Sequence, residues 1–107
     1  MILVTIETIP GREIERTVGL VRGNTVRAKH VGRDIVAGLR NLVGGEISEY
    51  SELMTEARNE AMNRMIEQAQ QQGADAVVGI RFVTAQVGAG SAELVAYGTA
   101  VKLAPKS

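Results

Sequence analysis

The most regular stretch of the chain runs from about Ser51 to Gln72, where Met54, Ala57, Ala61, Met65 and Gln68 recur at helical spacing. Leu53, Met62, Ile66 and Ala69 flank that stripe, while Glu52, Glu56, Glu60, Arg64 and Glu67 fall on the other side. The pattern predicts an amphipathic helix. Ser48 or Ser51 is its expected N-cap, with acids in the first turn, and Gly73 is the residue type suited to a left-handed C-terminal cap. Glu60 and Arg64 form an i,i+4 pair in the favoured order, worth about 0.2–0.5 kcal/mol on an exposed face. Such a pair supports a helix and implies no catalysis.

After Gly73 the period changes from 3.6 to 2. Asp75 to Thr84 reads as a strand rich in Val, Ile and Phe, and Gly88, Gly90 and Ser91 supply a turn. The return strand, Ala92 to Leu103, sets Val95, Tyr97, Thr99, Val101 and Leu103 on one face and Ala96, Gly98 and Ala100 on the other. The bare face admits a close neighbour, either the amphipathic helix or the backbone of another subunit. Upstream, Ile2 to Ile6 is a short strand ended by the Pro10-Gly11 turn. Ile14 to Arg22 is a second β segment, broken at Gly23-Asn24 and continued from Thr25 to Lys29. Ile35, Val36, Leu39, Leu42 and Val43 make a helical stripe within Gly32 to Val43, and Gly44-Gly45 separates it from the long helix. The predicted order is β, β, β, α, α, β, β, a single domain over residues 1–107.

Composition adds a reason to expect partners. With three aromatic residues (Tyr50, Phe82, Tyr97), no Trp and no Cys, the core is built from aliphatic side chains, Ala and Met. A domain of about 100 residues buries roughly 60–68% of the surface its unfolded chain exposes, and without disulfides self-association is the usual supplement. Twelve basic and twelve acidic residues cancel, which argues against a nucleic-acid partner held by bulk charge. No apolar run approaches the roughly 20 residues of a membrane span, and Glu7 precedes any basic residue, so no secretory signal is read and a cytoplasmic protein is expected.

The zero net charge is a sum of two unlike regions. Arg12 to Arg40 carries seven basic residues against three acidic ones, a balance of +4. Gly44 to Asp75 carries seven acids against two bases, a balance of −5. On opposite sides of one subunit, such regions meet at every interface of a head-to-tail ring; the plainer reading is two solvated faces.

Candidate chemistry is sparse. His30 is the only histidine, and with Asp34 it forms an H-x-x-x-D pair, the candidate metal ligands; carboxylates such as Glu46 or Glu49 would have to complete a site, since no thiolate exists. Arg22, Arg27, Lys29 and Arg33, interleaved with Gly23, Asn24 and Gly32, form a candidate anion site. Neither G-x-x-x-x-G-K-[ST] nor G-x-G-x-x-G occurs, which excludes those nucleotide loops. A hydroxyl nucleophile would have only His30 as its base, and the helix carboxylates are spaced as a solvated face, so no catalytic residue is assigned.

The opening segment ending at Ile9-Pro10-Gly11, the run from Val18 to Tyr50 (VGLVRGNTVRAKHVGRDIVAGLRNLVGGEISEY), GADAVVGIRF from Gly73 to Phe82 and AYGTAVKL from Ala96 to Leu103 together resemble the YbjQ-like family, small bacterial and archaeal proteins described as heavy-metal-binding domains. The resemblance covers almost the whole chain. It implies an α+β subunit in a dodecin-subunit-like arrangement, a small antiparallel sheet packed against one long helix plus a shorter helix, assembled as a ring-shaped pentamer. It maps no catalytic or ligand residue onto this chain. The leading expectation is a non-enzymatic homo-oligomer that binds or scaffolds at subunit interfaces or a central opening. The alternatives are a metal or anion binder and an enzyme with an interfacial site.

Overall fold

The computed structural model describes residues 1–26, 47–86 and 92–106. The elements are β1 (Ile2–Leu3), β2 (Ile14–Val26), α1 (Ile47–Gln71), β3 (Ala76–Gln86) and β4 (Ala92–Leu103). The four strands form one sheet in the order β1-β3-β4-β2, and α1 lies across one of its faces. The fold is α+β. The expected shorter helix over Gly32 to Val43 and the turn at Gly88, Gly90 and Ser91 lie outside the described residues.

The sheet is mixed, which corrects the expectation of an antiparallel one. β3–β4 and β4–β2 are antiparallel, but β1 pairs with β3 in parallel, Ile2 opposite Ala76 and Leu3 opposite Val77. Period-2 patterning reports which residues share a face and carries no information on strand direction. The first strand also ends earlier than Ile6. Val4 donates its N–H to Val77 O (3.0 Å) and accepts from Ile80 N–H (3.2 Å), and Ile6 O accepts from Gly79 N–H (2.9 Å). That irregular stretch follows the register shift between Val78 and Arg81, where Gly79 has φ 64°.

A second correction concerns Gly23-Asn24. β2 runs unbroken through both residues, with Gly23 opposite Ala96 and Asn24 opposite Val95. The glycine serves close packing: a Cβ there would overlap the carbonyl oxygen of Ala61 and the amide nitrogen of Met65 in α1. A turn residue and a contact residue look alike in a sequence.

The helix stripe packs as its spacing predicts. Ala57, Ala61, Met65 and Ala69 are buried against Val21, Val77, Ile80, Leu94, Ala96 and Ala100. The bare face of β4 therefore receives the helix, which settles that choice within a single chain. Helix entry differs from expectation, since α1 begins at Ile47 and places Ser48 and Ser51 inside its first turns. Its exit matches: Gly73 has φ 75°, Gly73 N–H donates to Gln70 O (3.0 Å) and Ala74 N–H to Ala69 O (3.0 Å), a Schellman motif. On the opposite face of the sheet a smaller core joins Ile9, Ala76, Val78, Val101 and Leu103, covered by Ile2, Val4 and Ile14. The Pro10-Gly11 turn that folds the N-terminal segment over it closes through Arg12 N–H to Ile9 O (3.0 Å), with Gly11 at φ 78°.

Candidate functional site

An open sheet has two edges, and here they are finished differently. On the β2 edge α1 supplies the missing partners. Arg22 N–H donates to Gln68 Oε1 (2.7 Å), Arg64 donates to Asn24 O, and Thr25 Oγ1 donates to Ala57 O (3.2 Å). Arg64 also pairs with Glu60, the ion pair read from the sequence. Arg22 and Asn24 are two residues apart and turn their backbone groups the same way, so helix side chains stand where a neighbouring strand would bond.

On the other edge the N-terminal segment covers β3 only as far as Ile80. Arg81 to Ala85 are all exposed, and their outward backbone groups gain no strand partner among the described residues. Phe82 and Val83 are exposed by 41% and 46%. Met1, Leu3 and Ile6 on the adjoining segment are exposed too, so five of the six exposed large apolar residues among the described ones gather on this edge. The sixth is Leu20, on β2.

The helix-free face carries polar groups beyond its small core. Register places Arg22 opposite Tyr97 and Tyr97 opposite Arg81, one rung across three strands. Val21, Gly23 and Ala96 lie under the helix, so the alternating neighbours in this rung face away from it. Tyr97 is half-buried and both arginines are exposed. Arg81 Nη1 donates to Thr5 O (2.8 Å) and Ile80 O (2.9 Å). The adjoining rungs hold Val83, Val95 and Asn24 on one side and Val78, Thr99 and Leu20 on the other, with no carboxylate.

At the end of α1, Asp75 fastens the chain crossing. Leu103 N–H donates to Asp75 Oδ2 (2.9 Å), Lys102 Nζ stands 3.5 Å from Oδ1, and Asp75 N–H donates to Val101 O (2.9 Å). The Leu103 hydrogen bond, aided by Lys102 and Arg12 and opposed by desolvation, holds the carboxyl below its ordinary pKa of 3.8. Such a group stabilises a fold without doing chemistry.

Of the residues singled out in the sequence, Arg22 is placed on β2, whereas Arg27, Lys29, His30, Arg33, Asp34 and Glu46 lie outside the described residues. Glu49 lies on α1. Among the described residues no group of three His, Asp or Glu is gathered as a metal site. Arg81 and Tyr97 were not singled out. The alternation of β4 put Tyr97 on the bulky face, but only the register of three strands brings it between two arginines.

Comparison with known proteins adds a family and a fold. The family model YbjQ, described as "Putative heavy-metal-binding", matches residues 1–104. A UPF0145 protein of Archaeoglobus fulgidus is 62% identical over 103 residues, 96% of this chain and 95% of that one. A UPF0145 protein of Vibrio parahaemolyticus is 59% identical over 103 residues, covering 96% and 98%. Among solved structures, a DUF74-family protein of unknown function from Pediococcus pentosaceus superposes with a TM-score of 0.63 at 17% identity, covering 97% of this chain and 98% of that one. At that identity the likeness concerns the fold.

Proposed function

The chain belongs to the YbjQ family, and within it we propose a non-enzymatic homo-oligomer, a ring of five copies, that binds or scaffolds at its subunit contacts or central opening. The observation that carries this reading is the open β3 edge. A strand edge whose backbone groups have no strand partner among the described residues, with Phe82 and Val83 exposed, is what soluble proteins ordinarily blunt with charge, proline or a covering element. The β2 edge of this same chain is blunted by α1, and only Arg81 charges the open stretch of β3. A second copy supplies the cover. The thin aliphatic core and the opposed charges of the Arg12 to Arg40 and Gly44 to Asp75 regions agree with a head-to-tail ring.

Light scattering tests it. The expected mass is five chains, and Phe82→Glu lowers it by placing a charge in the contact; a monomer at micromolar concentration overturns the reading. Raising the salt concentration is expected to loosen the ring, because exposed charge pairs are screened over about 8–10 Å at 0.1–0.15 M.

The family description brings metal into question, and the donor chemistry of this chain bears on it. Soft heavy-metal ions are commonly held by thiolates, and the chain has no cysteine. The residues present do not fit a thiolate site. A centre here would rest on His30, Asp34 and carboxylates, donors suited to borderline or hard cations.

A further inference from the structure

Two arginines share a rung of the helix-free face, with no carboxylate in that rung or the adjoining ones among the described residues, and the fold uses only part of their hydrogen-bonding capacity. Among the described residues the Arg22 guanidinium has no acceptor, although its backbone N–H is fixed by Gln68 Oε1 at 2.7 Å. Arg81 is held differently: Nη1 bonds two backbone carbonyls, of Thr5 and Ile80, which leaves its Nε and Nη2 donors unengaged among those residues. Along β4 the next acidic residue on the same face is Glu93, four positions from Tyr97 or about 13 Å of strand rise. Arg22 and Arg81 stand two strand spacings apart, about 10 Å between backbones, a gap that two arginine side chains can close over the tyrosine between them.

From this arrangement we infer that the rung Arg22, Tyr97 and Arg81 binds the phosphoryl group of a small ligand. Guanidinium groups pair with phosphate oxygens through two parallel N–H···O bonds, and the carbonyl-anchored Arg81 offers its remaining donors in a restricted orientation. The Tyr97 hydroxyl adds a donor, and its ring, beside Val95 and Leu20, gives an organic body something to lie on. The site needs neither His30 nor the basic residues after Val26. Arg81 is also the first residue of the open β3 stretch, so the site borders the proposed subunit contact, and Arg22, on the strand farthest from that edge, is the position that tests the site apart from the assembly.

The test is titration calorimetry of the full chain at low ionic strength with inorganic phosphate, AMP and adenosine. Phosphate and AMP bind and adenosine does not; tighter binding of AMP identifies a phosphomonoester as the ligand, and equal binding identifies phosphate itself. Arg22→Gln weakens both by at least about tenfold, since a hydrogen bond to a charged group is lost, and Tyr97→Phe weakens them by less. Lys106→Gln, in the exposed tail, leaves binding unchanged. Circular dichroism shows the variants folded, and light scattering shows Arg22→Gln at the mass of the parent, which separates this result from the assembly test. Absence of binding by the parent protein, wild-type affinity in Arg22→Gln, or an equal loss in Lys106→Gln overturns the proposal.

Discussion

The two edges of this sheet have the same problem and opposite solutions. On β2 the long helix lies close enough for Gln68 and Arg64 to bond the strand's outward backbone groups, at Arg22 N–H and Asn24 O. On β3 the N-terminal segment closes the edge to Ile80 and leaves Arg81 to Ala85 exposed. The first edge is finished by side chains within the chain; the second has no strand partner among the described residues. Edge protection is thus a property of packing distance, and the packing distance on β2 is set by what is missing at Gly23.

The sharpest way to break the comparison is to restore that missing atom. Gly23→Ala pushes α1 away from β2, because the new Cβ meets helix backbone, which has little freedom to move aside. A loss of about 3 kcal/mol is expected, read from denaturant melts, together with faster hydrogen exchange at Arg22; full stability would show that the helix does not set the edge. A gentler change removes one edge bond and leaves the packing. Gln68→Ala deprives Arg22 N–H of its acceptor and is expected to cost about 1 kcal/mol. The same substitution makes β2 resemble β3, so greater self-association accompanies it by light scattering.

The smallest effect appears only in acid. Because the folded pKa of Asp75 is lowered, its stabilisation is present above the unfolded value of 3.8 and is lost as the pH falls through the folded one. The melting temperature of the parent is expected to drop more steeply below pH 4 than that of Asp75→Asn. Parallel curves would show that the Leu103 bond to Asp75 does not couple to protonation. This contact lies where α1 hands over to β3, away from both edges, and it serves as the control for them.

Much of this was legible from the chain alone. The stripe of Ala57, Ala61 and Met65, the cap at Gly73, the turn at Pro10-Gly11 and the two faces of β4 were all readable, because each depends on neighbours within a few positions. Gly23 was misread for the opposite reason, since its requirement comes from Ala61 and Met65, about forty residues away. The parallel pairing of β1 was equally out of reach: Ile2 meets Ala76 only once the helix has carried the chain back across the sheet.

The candidate site divides along the same line. Arg22 was visible as one member of a basic cluster in sequence, but Tyr97 and Arg81 join it through register, which a pattern of period 2 leaves open by any even number of residues. Local periodicity and the conformational preferences of single residues determined which segments became helix and strand and which face each would bury. Only the tertiary structure decided which strands became neighbours, which edge the helix closed and which charges came to stand together, because those outcomes depend on contacts between residues distant along the chain.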